Sequence, residues 1–253
     1  MPKAETAYTP DELMVAILAH LLRDGERVMH GVASLIPVMA IQLARATHAP
    51  ELTCINLEGI DARPTRYSLT TEYFGLAERV VKFSNLPRLF EYAQRGLIDA
   101  AFFSGAQIDR LGNVNTSVLG DDYDYPKVRL TGGAGQAILC HTVGRIIIWL
   151  PRHERRRFPP NVDFITLPGH HPNVKKRLDS VVTNLAVMDF EPASGAMRLA
   201  SVHPGIDVAE VQANTGFDLI VPDSVPTTPA PTAEEITLLR TQIDPEGVRK
   251  KGM

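Results

Sequence analysis

Apolar positions in this chain follow two periods, and their alternation predicts the architecture. Leu13, Ala16, Ile17, His20 and Leu21 recur at helical spacing behind Thr9-Pro10-Asp11-Glu12. Thr9 can cap, Pro10 suits a first helical position, and Glu12 completes a capping box. A helix therefore starts there, and Asp24-Gly25 ends it. Arg27-Val28-Met29-His30 reads as a short strand, with Gly31 as a turn. Leu35 to Thr47, with Pro37 in its first turn, is a second helix. Leu52 to Ile55 is a short continuous apolar run and so a buried strand. Strand, helix, strand in that order predicts a parallel βαβ unit.

Residues 62–84 carry no clear pattern. Asn85-Leu86-Pro87 opens another helix, which Gly96 stops, and Ile98 to Phe103 is a buried strand. Arg145 to Leu150 is the clearest buried strand of all. Val181–Phe190 and Ala196–Val202 read as strands around Glu191-Pro192-Ala193-Ser194-Gly195, which predicts a hairpin. Asp207 caps a short helix ending near Gly216, and Phe217–Val221 reads as another strand. Residues 222–231 are rich in Pro and Thr and predict an extended linker. A capping box from Thr232 to Glu235 then starts a terminal helix that stops before Asp244-Pro245. There is no internal repeat, so residues 1–253 are expected to form a single α/β domain.

Composition narrows the function classes. The 253 residues are 44% hydrophobic and 22% charged, as in an ordinary soluble globular protein. A net charge of −3 argues against general nucleic-acid affinity. No apolar run approaches a membrane span, and the first residues lack the apolar core of a signal peptide. Cys54 and Cys140 sit in apolar stretches without a pairing pattern. They are expected to be buried reduced thiols in a cytoplasmic protein. His170-His171 is the only close histidine pair, and adjacent side chains point apart. His153-Glu154 lacks the second histidine of a zinc-binding helix, so no metal is expected.

Four places carry candidate chemistry. Asn56-Leu57-Glu58-Gly59 ends a buried strand, where open α/β folds put reactive groups. Ser104-Gly105-Ala106-Gln107-Ile108-Asp109, followed by Leu111-Gly112-Asn113-Val114-Asn115, is a polar loop directly after a buried strand. It can hold a ligand through its backbone, or it is a plain turn. Thr131-Gly132-Gly133-Ala134-Gly135 is a second glycine-rich turn, neither a phosphate-binding loop nor a dinucleotide fingerprint. The basic run Arg152-His153-Glu154-Arg155-Arg156-Arg157 is a solvated loop, a phosphate site or a contact for a partner's carboxylates.

Together these motifs resemble the β subunits of class I coenzyme A transferases. Ser104–Asp109 with Gly112–Asn115 resembles the family signature. His153–Phe158 resembles the HE(K/R)RRF segment of glutaconate-type β subunits. Leu167-Pro168-Gly169 is similar to their SPG turn, and Asn214–Asp218 to their ENTGFD segment. The matches keep their order from about Thr9 to Pro245. The resemblance implies an open three-layer α/β fold with a mostly parallel sheet. It also implies a homologous α subunit, often in an α2β2 assembly, with an acyl-CoA site at the interface. No cofactor is implied beyond the coenzyme A carried by the substrate. Gly105, Gln107, Asn113 and Asn115 are then candidates to line the site, and Gly132, Gly133 and Gly135 to let backbone amides approach the thioester.

In the transferases a glutamate of an E-x-G motif attacks the thioester. Here Gly59 as motif glycine puts Leu57 at that position, and Glu58 stands between. Side chains alternate along a strand, so the offset turns the carboxylate away unless a bulge restores it. The chain in this respect is similar to the β subunits of actinobacterial cholesterol ring-cleaving hydrolases. That likeness implies opening of the last steroid ring of a CoA thioester by retro-Claisen cleavage, with the base on the α subunit and Leu57 in the pocket wall. Two other readings stand beside it: a transferase for a small dicarboxylate or 3-oxo acid using Glu58, and a catalytically silent scaffold subunit.

Overall fold

The computed structural model describes residues 8–32, 34–56, 59–61, 63–64, 80–170 and 177–252. Leu57, Glu58 and His171 lie outside the described residues, as does much of the patternless stretch before Asn85.

Chain order sets the layers. Helix α1 (Pro10–His20) starts at the expected capping box, with the Glu12 carboxylate accepting from Thr9 N–H at 2.9 Å. Strand β1 (Arg27–Met29), helix α2 (Leu35–Ala46) and strand β2 (Thr53–Cys54) form the expected parallel unit. A short ladder pairs β3 (Gly59–Ile60) with β4 (Lys82–Phe83). Helix α3 (Leu86–Gln94) is capped by Asn85 and stopped at Gly96. Strand β5 (Ala100–Phe103) follows. Two short ladders come next: β6 (Gln107–Ile108) paired with β7 (Val114–Asn115), and β8 (Val118–Leu119) paired with β9 (Val128–Arg129). After the single turn α4 (Gln136–Leu139) come β10 (Arg145–Trp149), β11 (Arg177–Val182), β12 (Ala186–Phe190) and β13 (Met197–Val202). Helices α5 (Val208–Ala213) and α6 (Ala233–Leu238) follow, and α6 runs on into a π-helical turn over Leu239–Ile243 before a 3-10 turn over Val248–Gly252.

The central sheet has seven strands in the order β13-β12-β11-β10-β5-β1-β2. The run β2-β1-β5-β10-β11 is parallel, and β12 and β13 are added as antiparallel hairpins. Alternating side chains feed two cores. Val28, Ala100, Phe102, Ile147, Trp149 and Val182 face α1 and α2. Met29, Ala101, Phe103, Ile146, Ile148 and Val181 face Leu89 of α3, Leu139, Phe158 and Val211. Cover on both faces explains why these strands read as continuous apolar runs.

Two predicted elements differ. Residues 181–190 are two strands rather than one, because Thr183 turns the chain. Its backbone N–H donates to Ala186 O at 3.0 Å, and its hydroxyl accepts from the N–H groups of Leu185 and Ala186. Phe217–Val221 is no strand; only Ile220 bridges, to Arg198. Within the Pro-rich stretch, Thr227 bridges to Val202 and the Thr228 N–H donates to Val202 O at 2.7 Å.

Candidate functional site

The two ends of the parallel strands have different chemistry. The amino end is closed by ion pairs. Arg27 holds Asp99 at 2.8 Å, and the buried Arg145 reaches Glu26 at 2.7 Å and Asp179 at 3.2 Å. The carboxyl end carries polar groups on loops, most of them uncharged amides and hydroxyls, which is where open sheets of this kind bind ligands.

After β1 and β2 stand His30 and Asn56, both buried. The Asn56 amide oxygen accepts from the His30 backbone N–H at 3.3 Å, and its Nδ2–H donates to the His30 ring nitrogen Nε2. The other ring nitrogen, Nδ1, lies 2.9 Å from the Gly31 carbonyl, which can only accept, so Nδ1 carries the proton. Burial lowers the imidazole pKa to about 4, so His30 is neutral. On the far side of the strand end, Ile55 bridges Ile60 and Asn56 N–H donates to Gly59 O at 3.0 Å. The residues flanking Leu57 and Glu58 are thus tied to each other and to β1. Gly59 is tightly placed too: an added Cβ would lie 2.8 Å from Lys82 O.

After β5, Gly105 lets the loop close, since a Cβ there would meet Val114 Cγ1 at 2.3 Å. Ala106 N–H donates to Asn115 O at 2.8 Å. The fully buried Asn115 donates to Gln107 Oε1 at 2.7 Å and to Val118 O, and its own oxygen accepts from Ser117 and Val118 N–H. Asn113 donates to Asp109 Oδ2 at 2.8 Å and accepts from Gly169 N–H at 2.7 Å. Asn113 and Asn115 therefore spend their amides on shaping the loop. Gln107 differs: its oxygen is used twice, while its Nε2 makes no hydrogen bond among the described residues.

The second glycine turn docks on the first loop. Gln136 Nε2 donates to Ser104 O at 2.7 Å, and Thr116 Oγ1 donates to Gln136 Oε1 at 3.2 Å. Gly132 has φ +83°, and its N–H donates to Thr116 O at 2.9 Å. Gly133 and Gly135 sit where a Cβ would meet Thr166 at 2.5 Å and Leu139 at 2.8 Å. Residues 104–107, 115–117 and 132–136 thus share one end of the sheet with His30 and Asn56.

The remaining motifs pair with one another. Gly169 sits where a Cβ would be 2.1 Å from Leu111 O, so the Leu167-Pro168-Gly169 turn closes onto the signature loop. His153 stacks on Phe158 with centroids 4.0 Å apart, and its Nε2 lies 3.0 Å from Thr215 Oγ1. Gly216 N–H donates to Phe158 O at 2.8 Å.

Sequence reading placed His30 only in a strand and Asn56 only in the stretch before Gly59, and missed their pairing. A buried histidine and asparagine just past two apolar runs was the available signal. It gains meaning only once β1 and β2 are neighbours. Among the described residues no three His, Cys, Asp or Glu side chains gather as metal ligands would.

The geometry defines an open α/β subunit whose polar loops and glycine turns gather at the carboxyl ends of its parallel strands. The Coenzyme A transferase family pattern matches residues 12–214, and the chain belongs to that family. It is 34% identical to the β subunit of 3-oxoadipate CoA-transferase of Pseudomonas knackmussii, with 93% of each chain covered. It is 32% identical to the β subunit of glutaconate CoA-transferase of Acidaminococcus fermentans, over 95% of this chain and 94% of that one. Identity to IpdB of the cholesterol ring-cleaving hydrolase of Mycobacterium tuberculosis is 28%, over 96% and 98%. Among solved structures, the decarboxylase AibA/AibB superposes with TM-score 0.87 at 33% identity, covering 96% of this chain and 98% of that one. IpdAB of Rhodococcus jostii superposes with TM-score 0.83 at 25% identity, covering 97% and 98%.

Proposed function

We propose that this chain is the β-type subunit of a heteromeric enzyme that cleaves a carbon–carbon bond in an acyl-CoA without a covalent enzyme thioester. It pairs with a homologous α subunit, in an α2β2 assembly. The reaction is hydrolytic opening of the last ring of a steroid-derived CoA thioester. The observation that carries this is the offset of Glu58 from the E-x-G position, between Asn56 and Gly59, which are held together by a backbone hydrogen bond.

Chemically, a base takes a proton from water, and the oxygen adds to a ring carbonyl. The adduct collapses to a carboxylate, breaking the bond to the neighbouring carbon. That electron pair is held as an enolate until a proton arrives. This chain contributes crevice walls and neutral donors, and the α subunit contributes the base. The likeness to IpdB and to a decarboxylase supports the reading, since both names describe carbon–carbon cleavage. The higher identity to two transferase subunits supports a second reading, CoA transfer through Glu58.

The test is the complex of this chain with its α subunit, mixed with a CoA thioester bearing a cyclic 1,3-diketone, or with succinyl-CoA, then treated with borohydride. Ring opening without a mass adduct is the expected result. A reduced adduct mapping to Glu58 overturns it in favour of transfer. Gln107→Ala should abolish ring opening; full activity in that variant would mark this chain as a scaffold.

A further inference from the structure

The basic run after β10 contains one arginine unlike the others. Arg152 and Arg155 are exposed, and Arg156 holds the Glu154 carboxylate at 2.5 Å. Arg157 is half-buried, and its Nε lies fully buried without a hydrogen-bond partner among the described residues. No ion pair forms to it among the described residues, because Glu154, the acid in its own loop, is taken by Arg156. Burial, with Arg156 and Arg152 nearby, lowers the hold of this guanidinium on its proton, and Glu154 only partly offsets this. A desolvated cation without an anion is costly, so proteins rarely build one except to receive a charge from outside.

Position says what that charge belongs to. Strands β5 and β10 are neighbours and parallel, and the loops that leave their carboxyl ends meet here. Ile108 N–H donates to Arg157 O at 2.8 Å, which sets Arg157 against the residue next to Gln107. Gln107 is only 7% exposed, and its Nε2 is free of hydrogen bonds among the described residues. Two strand-end loops joined by this backbone bond thus each hold a donor unused among the described residues, one of them cationic. Guanidinium and amide N–H groups are the donors that recognise carboxylate or phosphate oxygens.

We infer that Arg157, with the free amide of Gln107, docks an anionic group of the acyl-CoA, either a phosphate of the coenzyme or a carboxylate of the acyl chain. This rests on the acyl-CoA reading above.

The experiment is calorimetric titration of the α/β complex with four probes: CoA, pantetheine, glutaryl-CoA and its methyl ester. Wild type and Arg157→Gln are compared, with light scattering to check assembly. A phosphate source predicts that the variant binds CoA about 10- to 100-fold more weakly while pantetheine is unchanged. An acyl carboxylate predicts unchanged CoA but glutaryl-CoA weakened to the level of its ester. Equal affinity of both proteins for all four probes overturns the inference. So does a variant that no longer assembles, which would give Arg157 to a carboxylate of the α subunit. If Arg157→Gln does not fold, Arg157→Lys carries the test. It keeps the charge but lacks Nε, so the same probe should bind about tenfold more weakly, and unchanged affinity overturns the inference. A wild-type complex that binds none of the four sinks the acyl-CoA reading itself.

Discussion

The Asn56 side chain clips His30 twice, at its backbone N–H and at its ring, across the carboxyl ends of two parallel strands. In Asn56→Ala the His30 N–H and Nε2 both lose their partner. The expected cost is about 1–3 kcal/mol of stability, read from urea denaturation. Asn56→Asp should act differently, because a carboxylate beside Nε2 would raise the His30 pKa above its present value of about 4. An NMR titration of the His30 ring reads that shift.

Acid should unfold the protein through its buried histidines. Burial, then the neighbouring His203, lowers His153 to about 4. An unfolded histidine titrates at about 6.5. Between those values the unfolded chain binds more protons, so stability rises with pH there. It is complete above about 6.5 and lost as pH falls toward 4. His153→Gln should reduce the slope of stability against pH between 4 and 6.5, measured by denaturation at several pH values. An unchanged slope would show that His153 does not contribute.

The end of the chain is locked to its start. Arg249 reaches Asp11 at 2.9 Å, Glu12 at 2.5 Å and Asp244 at 2.8 Å, all buried. Removing one partner of such a cluster strands the remaining charges. Arg249→Ala is expected to cost about 3–5 kcal/mol, seen as a fall in melting temperature. Glu12, opposed by burial but held by Arg240, Thr9 and Arg249, sits at about 2. Its contribution is therefore present above its unfolded value and disappears only as pH falls toward 2.

Gly105→Ala tests the loop after β5. The new Cβ would lie 2.3 Å from Val114 Cγ1 and 3.1 Å from Asn115 O. Overpacking of this kind costs about 1–3 kcal/mol. The loop must shift, so CoA binding by the α/β complex should weaken more than the melting temperature falls. Equal affinity in wild type and variant would remove the 104–115 loop from the site.

Local signals in the sequence determined much of the molecule. The Thr9 and Thr232 capping boxes, the Asn85 and Asp207 caps and the stop at Gly96 work through contacts within three or four residues, so the helices were legible. The apolar runs at 98–103 and 145–150 stayed strands because a sheet covered on both faces needs no alternation. Where a side chain competed with the pattern, the sequence misled: the Thr183 hydroxyl turns the chain inside a run that otherwise reads as one strand. Tertiary structure alone decided the rest. Thr215 finds His153 across 62 positions, and His30 finds Asn56 across 26, because the strand order makes them neighbours. Residue types told that Asn113, Asn115 and Gln107 were polar. Only the fold decided that the two asparagines spend their amides holding the loop while the Gln107 Nε2 has no partner among the described residues, since hydrogen-bond partners are fixed by distance in space rather than along the chain.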